Sequence, residues 1–153
     1  MSKLVGFLVY HNPQKRTRFV DQLFISKKYR RHKFATMLLK EITNGPIELI
    51  VNEGNVSAIA FYTALQFCSV YDTRKNLAND EILMKTKSYL TTKQVIKDKT
   101  AKTKRELTFI HKTYKDASEK EIKFMKTSLN RSSHMVNDLY ESDPNTRYIF
   151  AYI

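Results

Sequence analysis

The sequence predicts an α/β domain built on a mixed, mostly antiparallel twisted sheet flanked by helices. Three observations predict it. β-prone apolar runs and amphipathic stretches alternate through residues 1–90 in the order β-β-α-β-α-β-β. Turn-forming residues, Asn12-Pro13 and Asn44-Gly45-Pro46, punctuate those runs. The last seven residues, Arg147–Ile153 (RYIFAYI), are apolar on both faces, as a doubly buried strand is.

The elements follow in order. Leu4–Tyr10 is an apolar strand, and His11–Thr17 is a turn. Arg18–Ser26 continues as the second arm of a hairpin. Strict alternation places Phe19, Asp21, Leu23 and Ile25 on one face, and Val20, Gln22 and Phe24 on the other. Phe34, Met37, Leu38 and Ile42 recur at helical spacing, so a helix is expected over Arg31–Thr43, stopped by Asn44-Gly45-Pro46. Ile47–Asn52 is a short buried strand. Asn55 caps a helix over Val56–Leu65. Cys68–Arg74 and Glu81–Tyr89 close the run as a strand pair around Asn76–Asp80.

From Thr91 the texture changes. Lys93–Phe109 is lysine-rich, with a weak apolar stripe of Val95, Ile96, Leu107 and Ile110. Ser118–Ser128 reads as a helix that Ser118 and Glu121 open as a capping box. Ser133–Tyr140 carries Met135, Val136 and Leu139, and Asp143-Pro144-Asn145 is a turn before the last strand. The expected organisation is one domain, 1–153. Residues 1–90 form its core, and 91–153 add a helical segment and a strand beside residues 4–10.

Composition bounds the chemistry. The 153 residues carry 27 Lys+Arg against 15 Asp+Glu, a net charge of +12. Residues 1–90 hold 14 basic and 7 acidic side chains and residues 91–153 hold 13 and 8, so the excess is no basic tail. A single cysteine, Cys68, excludes an intramolecular disulfide. The histidines, at 11, 32, 111 and 134, show no metal-ligand spacing, so no metal is expected. No apolar run approaches the ~20 residues of a membrane span and no signal peptide is visible, so an intracellular place, cytoplasm or nucleus, is expected. Glycine is scarce, at 3.

The densest cationic patch, Lys27 to Lys33, lies where a strand runs into a helix. A helix start offers unpaired N–H groups and a positive dipole end, and the flanking Lys and Arg add Coulomb attraction, so this is a candidate anion site. A second pattern, Asn55-x-x-Ala58-x-x-Phe61-Tyr62-x-x-Leu65-x-Phe67, opens the next helix.

Together the two motifs resemble the GNAT family of N-acetyltransferases. Arg30, Arg31-His32, Lys33, Phe34 and Ala35 stand for its Arg/Gln-x-x-Gly-x-Gly/Ala loop, and Asn55, Ala58, Phe61 and Tyr62 for its Asn-x-x-Ala-x-x-Phe-Tyr helix. The resemblance covers roughly Leu4–Tyr89 and implies the acyl-CoA N-acyltransferase fold. It implies that acetyl moves from acetyl-CoA to a primary amine by direct attack in a ternary complex. Main-chain amides of Arg31–Ala35 would cradle the pyrophosphate. Leu23, Phe24 and Ile25 would run along the pantetheine arm, with Asn55 bonding near it. Tyr62 would protonate the departing thiolate, and Asp21 would take the amine's proton, directly or through water.

The family's glycines are replaced here. Arg31 follows the motif arginine, Lys33 stands in mid-loop, and Gln66 precedes the closing Phe67. The alternative function is therefore a degenerate acetyltransferase fold that binds nucleic acid or an acidic protein through its basic surface. Family members usually open with a strand, two helices and another strand before the one matching Leu4–Tyr10. Residues 91–153 hold the material for those elements, so the chain reads as a circular permutation, with an appended helical module as the alternative.

Overall fold

A computed structural model describes residues 2–13, 16–70, 77–86, 107–129 and 144–153. One seven-stranded sheet runs through them. Its strands are β1 (Leu4–His11), β2 (Arg18–Ile25), β3 (Ile47–Asn52), β4 (Phe67–Val70), β5 (Glu81–Thr86), β6 (Thr108–Lys112) and β7 (Arg147–Tyr152). The helices are α1 (Phe34–Lys40), α2 (Val56–Ala64) and α3 (Glu119–Leu129). In space the strands lie in the order β4-β5-β3-β2-β1-β7-β6. β2 and β3 pair in parallel, and every other neighbouring pair is antiparallel. This is the mixed, mostly antiparallel α/β sheet that the sequence predicts.

The two faces of the sheet hold two cores. Val5, Leu8, Val20, Ile25, Leu49, Val51 and Ile149 pack with Phe34, Leu38 and Leu39 of α1 and Tyr62 of α2. On the other face Leu4, Phe7, Val9, Tyr148 and Phe150 pack with Met125 of α3. Phe7, Phe24 and Phe124 cluster there, with ring centroids 5.8 to 6.1 Å apart. The strict alternation expected of β2 is broken. Val9 faces Gln22 while Tyr10 faces Val20, so Asp21 is the extra residue of a bulge. Val20 therefore shares a face with Leu23 and Ile25, not with Phe24.

Element boundaries differ in ways that have local causes. α1 is confined to Phe34–Lys40, because left-handed Lys33 breaks helical geometry before it and turns follow Lys40. Gly45 then brings the chain against Arg16; a Cβ there would stand 1.7 Å from the Arg16 carbonyl oxygen. α2 has the expected Asn55 cap, whose side chain accepts from the Ala58 N–H at 3.2 Å. Val56, its first residue, is 73% exposed, and Tyr62 is the buried residue. The capping box of α3 closes both ways: the Glu121 N–H donates to Ser118 Oγ, and the Ser118 N–H to the Glu121 carboxylate.

The C-terminal stretch needs one correction. Thr108–Lys112 is a strand, not part of a helical segment, and it pairs with β7. β7 in turn lies against β1, from Leu4↔Tyr152 to Tyr10↔Arg147. Lys3 and Ile153 exchange backbone hydrogen bonds of 3.1 and 2.9 Å. The expectations for 71–76, 87–106 and 130–143 lie outside the described residues. Among the described residues no helix is long and apolar enough to cross a membrane.

Candidate functional site

The site begins where the sheet splits. β2 and β3 pair at Arg18↔Ile47, Phe19↔Glu48 and Val20↔Leu49, and no further, although both strands continue. A parallel pair that parts in this way leaves β2 from Gln22 onward without a ladder partner on its β3 side. α1 and α2 pack over the opening.

The chain leaving β2 is built around its backbone. The Ser26 N–H donates to the Val5 carbonyl, a turn of 3₁₀ helix spans Lys27–Tyr29, and Arg30 follows. Nε of Arg30 donates to the Ile25 carbonyl at 2.8 Å, and its guanidinium lies 5.5 Å from the Phe24 ring centroid. Arg30 thereby ties the loop to the strand end. Arg31 and Lys33 then take left-handed conformations, φ 67° and 64°, and α1 starts without a side-chain cap. Such conformations cost ~1–2 kcal/mol in an L-residue. Gln66, at the end of α2, is also left-handed, φ 65°. Lys33 stands at the glycine of the loop pattern, and Arg31 and Gln66 are the other two positions where the resemblance leads one to expect glycine. The backbone at each holds a left-handed conformation of the kind glycine serves.

Two adjoining cavities open between this loop and α2. The larger, about 620 Å³, is walled by Tyr29, Arg30, Arg31, Lys33, Phe34, Ala35 and Thr36, with Ser57, Phe61, Ala64 and Leu65 of α2 opposite. The smaller, about 310 Å³, continues along Leu23, Phe24 and Ile25 to Asn55, Ala58 and Tyr62. They share Ile25, Arg30, Ala35, Ser57 and Phe61, which makes them one channel. Cations line its mouth and apolar groups its throat, and among the described residues no carboxylate lines either part. A long ligand with an anionic head and a thin apolar arm fits that distribution.

Most predicted residues meet here. Leu23, Phe24, Ile25, Arg30, Arg31, Lys33, Phe34, Ala35, Asn55 and Tyr62 all line the channel. His32 lines neither part; its ring packs 5.7 Å from that of Phe34. Tyr62 is 8% exposed and packed between Phe61 and Phe67, at 5.0 and 5.2 Å. Burial pushes its phenol up to about 12. Asn55 spends its carbonyl oxygen on the helix cap, and the Ser57 hydroxyl donates to the same atom at 3.4 Å.

Asp21 stands apart from the channel lining. It sits in the bulge one residue past the last β2–β3 pair, with Oδ2 2.7 Å from Nδ1 of His11. Sequence reasoning did not find His11 as its partner. Arg18 is engaged elsewhere: its guanidinium donates to Asn12 and Asn44. Among the described residues no group of three or more His, Cys, Asp or Glu is arranged to hold a metal.

The acetyltransferase (GNAT) family matches residues 2–67. No curated protein matches the chain. Among solved structures, a Klebsiella pneumoniae protein described as an acyl-CoA N-acyltransferase is similar at 14% identity and a TM-score of 0.48, over 54% of this chain and 62% of that one. A GNAT-family acetyltransferase from Staphylococcus aureus is similar at 18% and 0.44, over 56% and 60%. Diaminobutyrate acetyltransferase EctA from Paenibacillus lautus, solved with L-2,4-diaminobutyric acid and coenzyme A, is similar at 20% and 0.41, over 56% and 64%. The chain thus spans about six-tenths of the length of each.

Proposed function

We propose that the chain, whose residues 2–67 match the acetyltransferase (GNAT) family model, is an N-acetyltransferase that moves acetyl from acetyl-CoA to a primary amine by direct attack. The carrying observation is the left-handed backbone at Arg31, Lys33 and Gln66. It keeps the glycine conformation of the loop and of the α2 end, and so supports a loop whose amides approach phosphate. Arg31 and Lys33 add charge at the same mouth. The unpaired side of β2 supplies main-chain groups for the amide-bearing pantetheine arm, which lies along Ile25, Phe24 and Leu23 toward Tyr62.

The residues then divide the work. Tyr62, kept protonated by burial, gives its phenolic proton to the leaving sulfur. Asn55 holds the turn into α2 that presents Tyr62. The amine's proton leaves on the Asp21 side of the fork. The alternative, a degenerate module for nucleic acid or an acidic protein, drew on the loss of glycines; the retained conformation at those positions removes that support.

The experiment is an acetyl-CoA titration followed by thermal shift. A ligand at 100 times its Kd stabilises by about 2.7 kcal/mol, so a rise of several degrees is expected. No shift at millimolar acetyl-CoA overturns the reading.

The same proposal covers the domain: residues 91–153 act as part of it, and the chain is a circular permutation of the family order. The β1–β7 ladder and the Lys3–Ile153 bonds support this. Joining the ends by a short turn and opening the chain between residues 90 and 100 should leave acetyl-CoA binding intact.

A further inference from the structure

Beyond Val20, the strand that lines the channel is held by a ladder on one side only. From Gln22 onward β2 stays paired with β1 and is not paired with β3. Its apolar side chains there divide between the faces: Leu23 and Ile25 pack with the α1–α2 core, and Phe24 with the α3 core. A strand end paired along one edge opens more readily than one paired along both, unless side-chain packing braces it. Phe24 supplies that packing. It lies opposite Phe7 in the β1–β2 ladder, and the two rings stack with centroids 5.8 Å apart. Phe124 of α3 meets both in edge-to-face geometry, 6.0 Å from Phe7 and 6.1 Å from Phe24.

A further contact of the Phe24 ring runs to the channel mouth. The Arg30 guanidinium sits 5.5 Å from its centroid, and Nε of Arg30 donates to the Ile25 carbonyl at 2.8 Å. Arg30 lines both parts of the channel, and left-handed Arg31 and Lys33 follow it. Phe124 therefore reaches the loop through Phe24 and Arg30.

We infer that Phe124 is a positioning residue for the cofactor channel: through Phe24 and Arg30 it fixes the end of β2 and the loop that receives acetyl-CoA. The inference rests on the function proposed above. By it, the C-terminal helix sets the affinity of a channel that Phe124 does not line. Edge-to-face rings and a cation over a ring hold defined angles, and an aliphatic side chain of similar size holds none. Without Phe124 the Phe24 ring is free to turn, and Arg30 loses its seat and its pin to the strand end. Left-handed backbone is uphill for an L-residue, so Arg31 and Lys33 depend on an anchored residue before them.

The test measures acetyl-CoA Kd by calorimetry and stability by urea unfolding. It compares wild type with Phe124→Leu, Phe124→Met, Ile122→Ala, Arg30→Lys and the Phe124→Leu, Arg30→Lys double variant. Ile122, an aliphatic residue of the same helix and the same core, controls for a general loss of packing. Phe124→Leu and Phe124→Met should each raise the Kd by ~5–10-fold. Ile122→Ala should cost as much stability or more and leave the Kd within about twofold of wild type. Arg30→Lys keeps a charge and loses the planar fork, so adding Phe124→Leu to it should raise the Kd by no more than about twofold. Met keeps most of the volume of Phe, and carries the test where the Leu variant does not fold. A Kd unchanged by replacing Phe124 overturns the inference. So does equal weakening by Ile122→Ala, or a full effect of Phe124→Leu in the Arg30→Lys background. Each of those results leaves acetyl-CoA binding by wild type standing. Failure of wild type to bind millimolar acetyl-CoA overturns the proposed function, and the role of Phe124 with it.

Discussion

The two faces of the sheet treat polar groups in opposite ways. On the α3 face, Glu121 is 1% exposed and every bond around it is made inside the protein. Its carboxylate accepts from Lys112 Nζ at 2.6 Å, from the Ser118 N–H at 2.9 Å and from the Tyr152 hydroxyl. On the α1–α2 face, β2 from Gln22 onward has no ladder partner on its β3 side, α1 has no side-chain cap, and Arg31, Lys33 and Gln66 hold left-handed backbone. The bonds around Glu121 close within the protein; the other face keeps left-handed backbone beside a cavity. Strain of this kind persists where surrounding structure over-determines it, and such places are functional more often than structural. The comparison separates what holds the domain together from what it does.

The strongest way to break the α3 face is Glu121→Ala, which leaves Lys112 and Tyr152 facing an empty partner. A cost of about 3–5 kcal/mol is expected in urea unfolding. A smaller effect of opposite kind comes from Tyr62→Phe. It keeps the packing against Phe61 and Phe67, so stability and acetyl-CoA binding should hold while turnover falls about 100-fold, or ~2.7 kcal/mol of barrier. Lys33→Gly and Gln66→Gly sharpen the contrast. Each should relieve left-handed strain and raise stability by about 1 kcal/mol. Only Lys33→Gly should weaken acetyl-CoA binding, because it alone removes a cation from the channel mouth.

The smallest effect is a pH dependence confined to the α3 face. Burial alone would raise the Glu121 carboxyl. The hydrogen bonds from Lys112, the Ser118 N–H and Tyr152, with the Lys112 charge, outweigh it and hold the carboxyl below its ordinary value. A lowered folded-state pKa gives stability that is present above the unfolded value, ~4.3, and lost as pH falls through the folded one. The stability gap between wild type and Glu121→Gln should therefore narrow as pH drops below ~4. A gap that widens there contradicts it.

Much of this was legible in the sequence, for reasons that can be named. Alternation exposes β1, helical spacing marks α1, and local caps mark α2 and α3 because their chemistry is read within four residues. Channel residues from Leu23 to Tyr62 were legible because two short motifs carry them. β6 was not: TFIHK sits at the sheet edge, with only Phe109 among its apolar side chains packed into the core, so its lysine-rich surroundings hide it. The His11–Asp21 pair was not legible either, since a bulge breaks the register that would match residues across the hairpin. The glycine positions were legible only as residue types. Sequence shows which residue stands there, and only the backbone shows that Lys33, Arg31 and Gln66 adopt the glycine conformation.

The ladder between β1 and β7 has a mechanical consequence. The strands are antiparallel, and their paired ends are the chain's own ends, Lys3 against Ile153. Tension applied between those ends does not shear the ladder as a block. It loads the Lys3–Ile153 bonds first, then Leu4–Tyr152, and opens the middle of the sheet one pair at a time, like a zipper pulled from its open end. The domain should therefore yield at low force along its end-to-end axis. It should resist far more when pulled across the same two strands from Ile153 and His11.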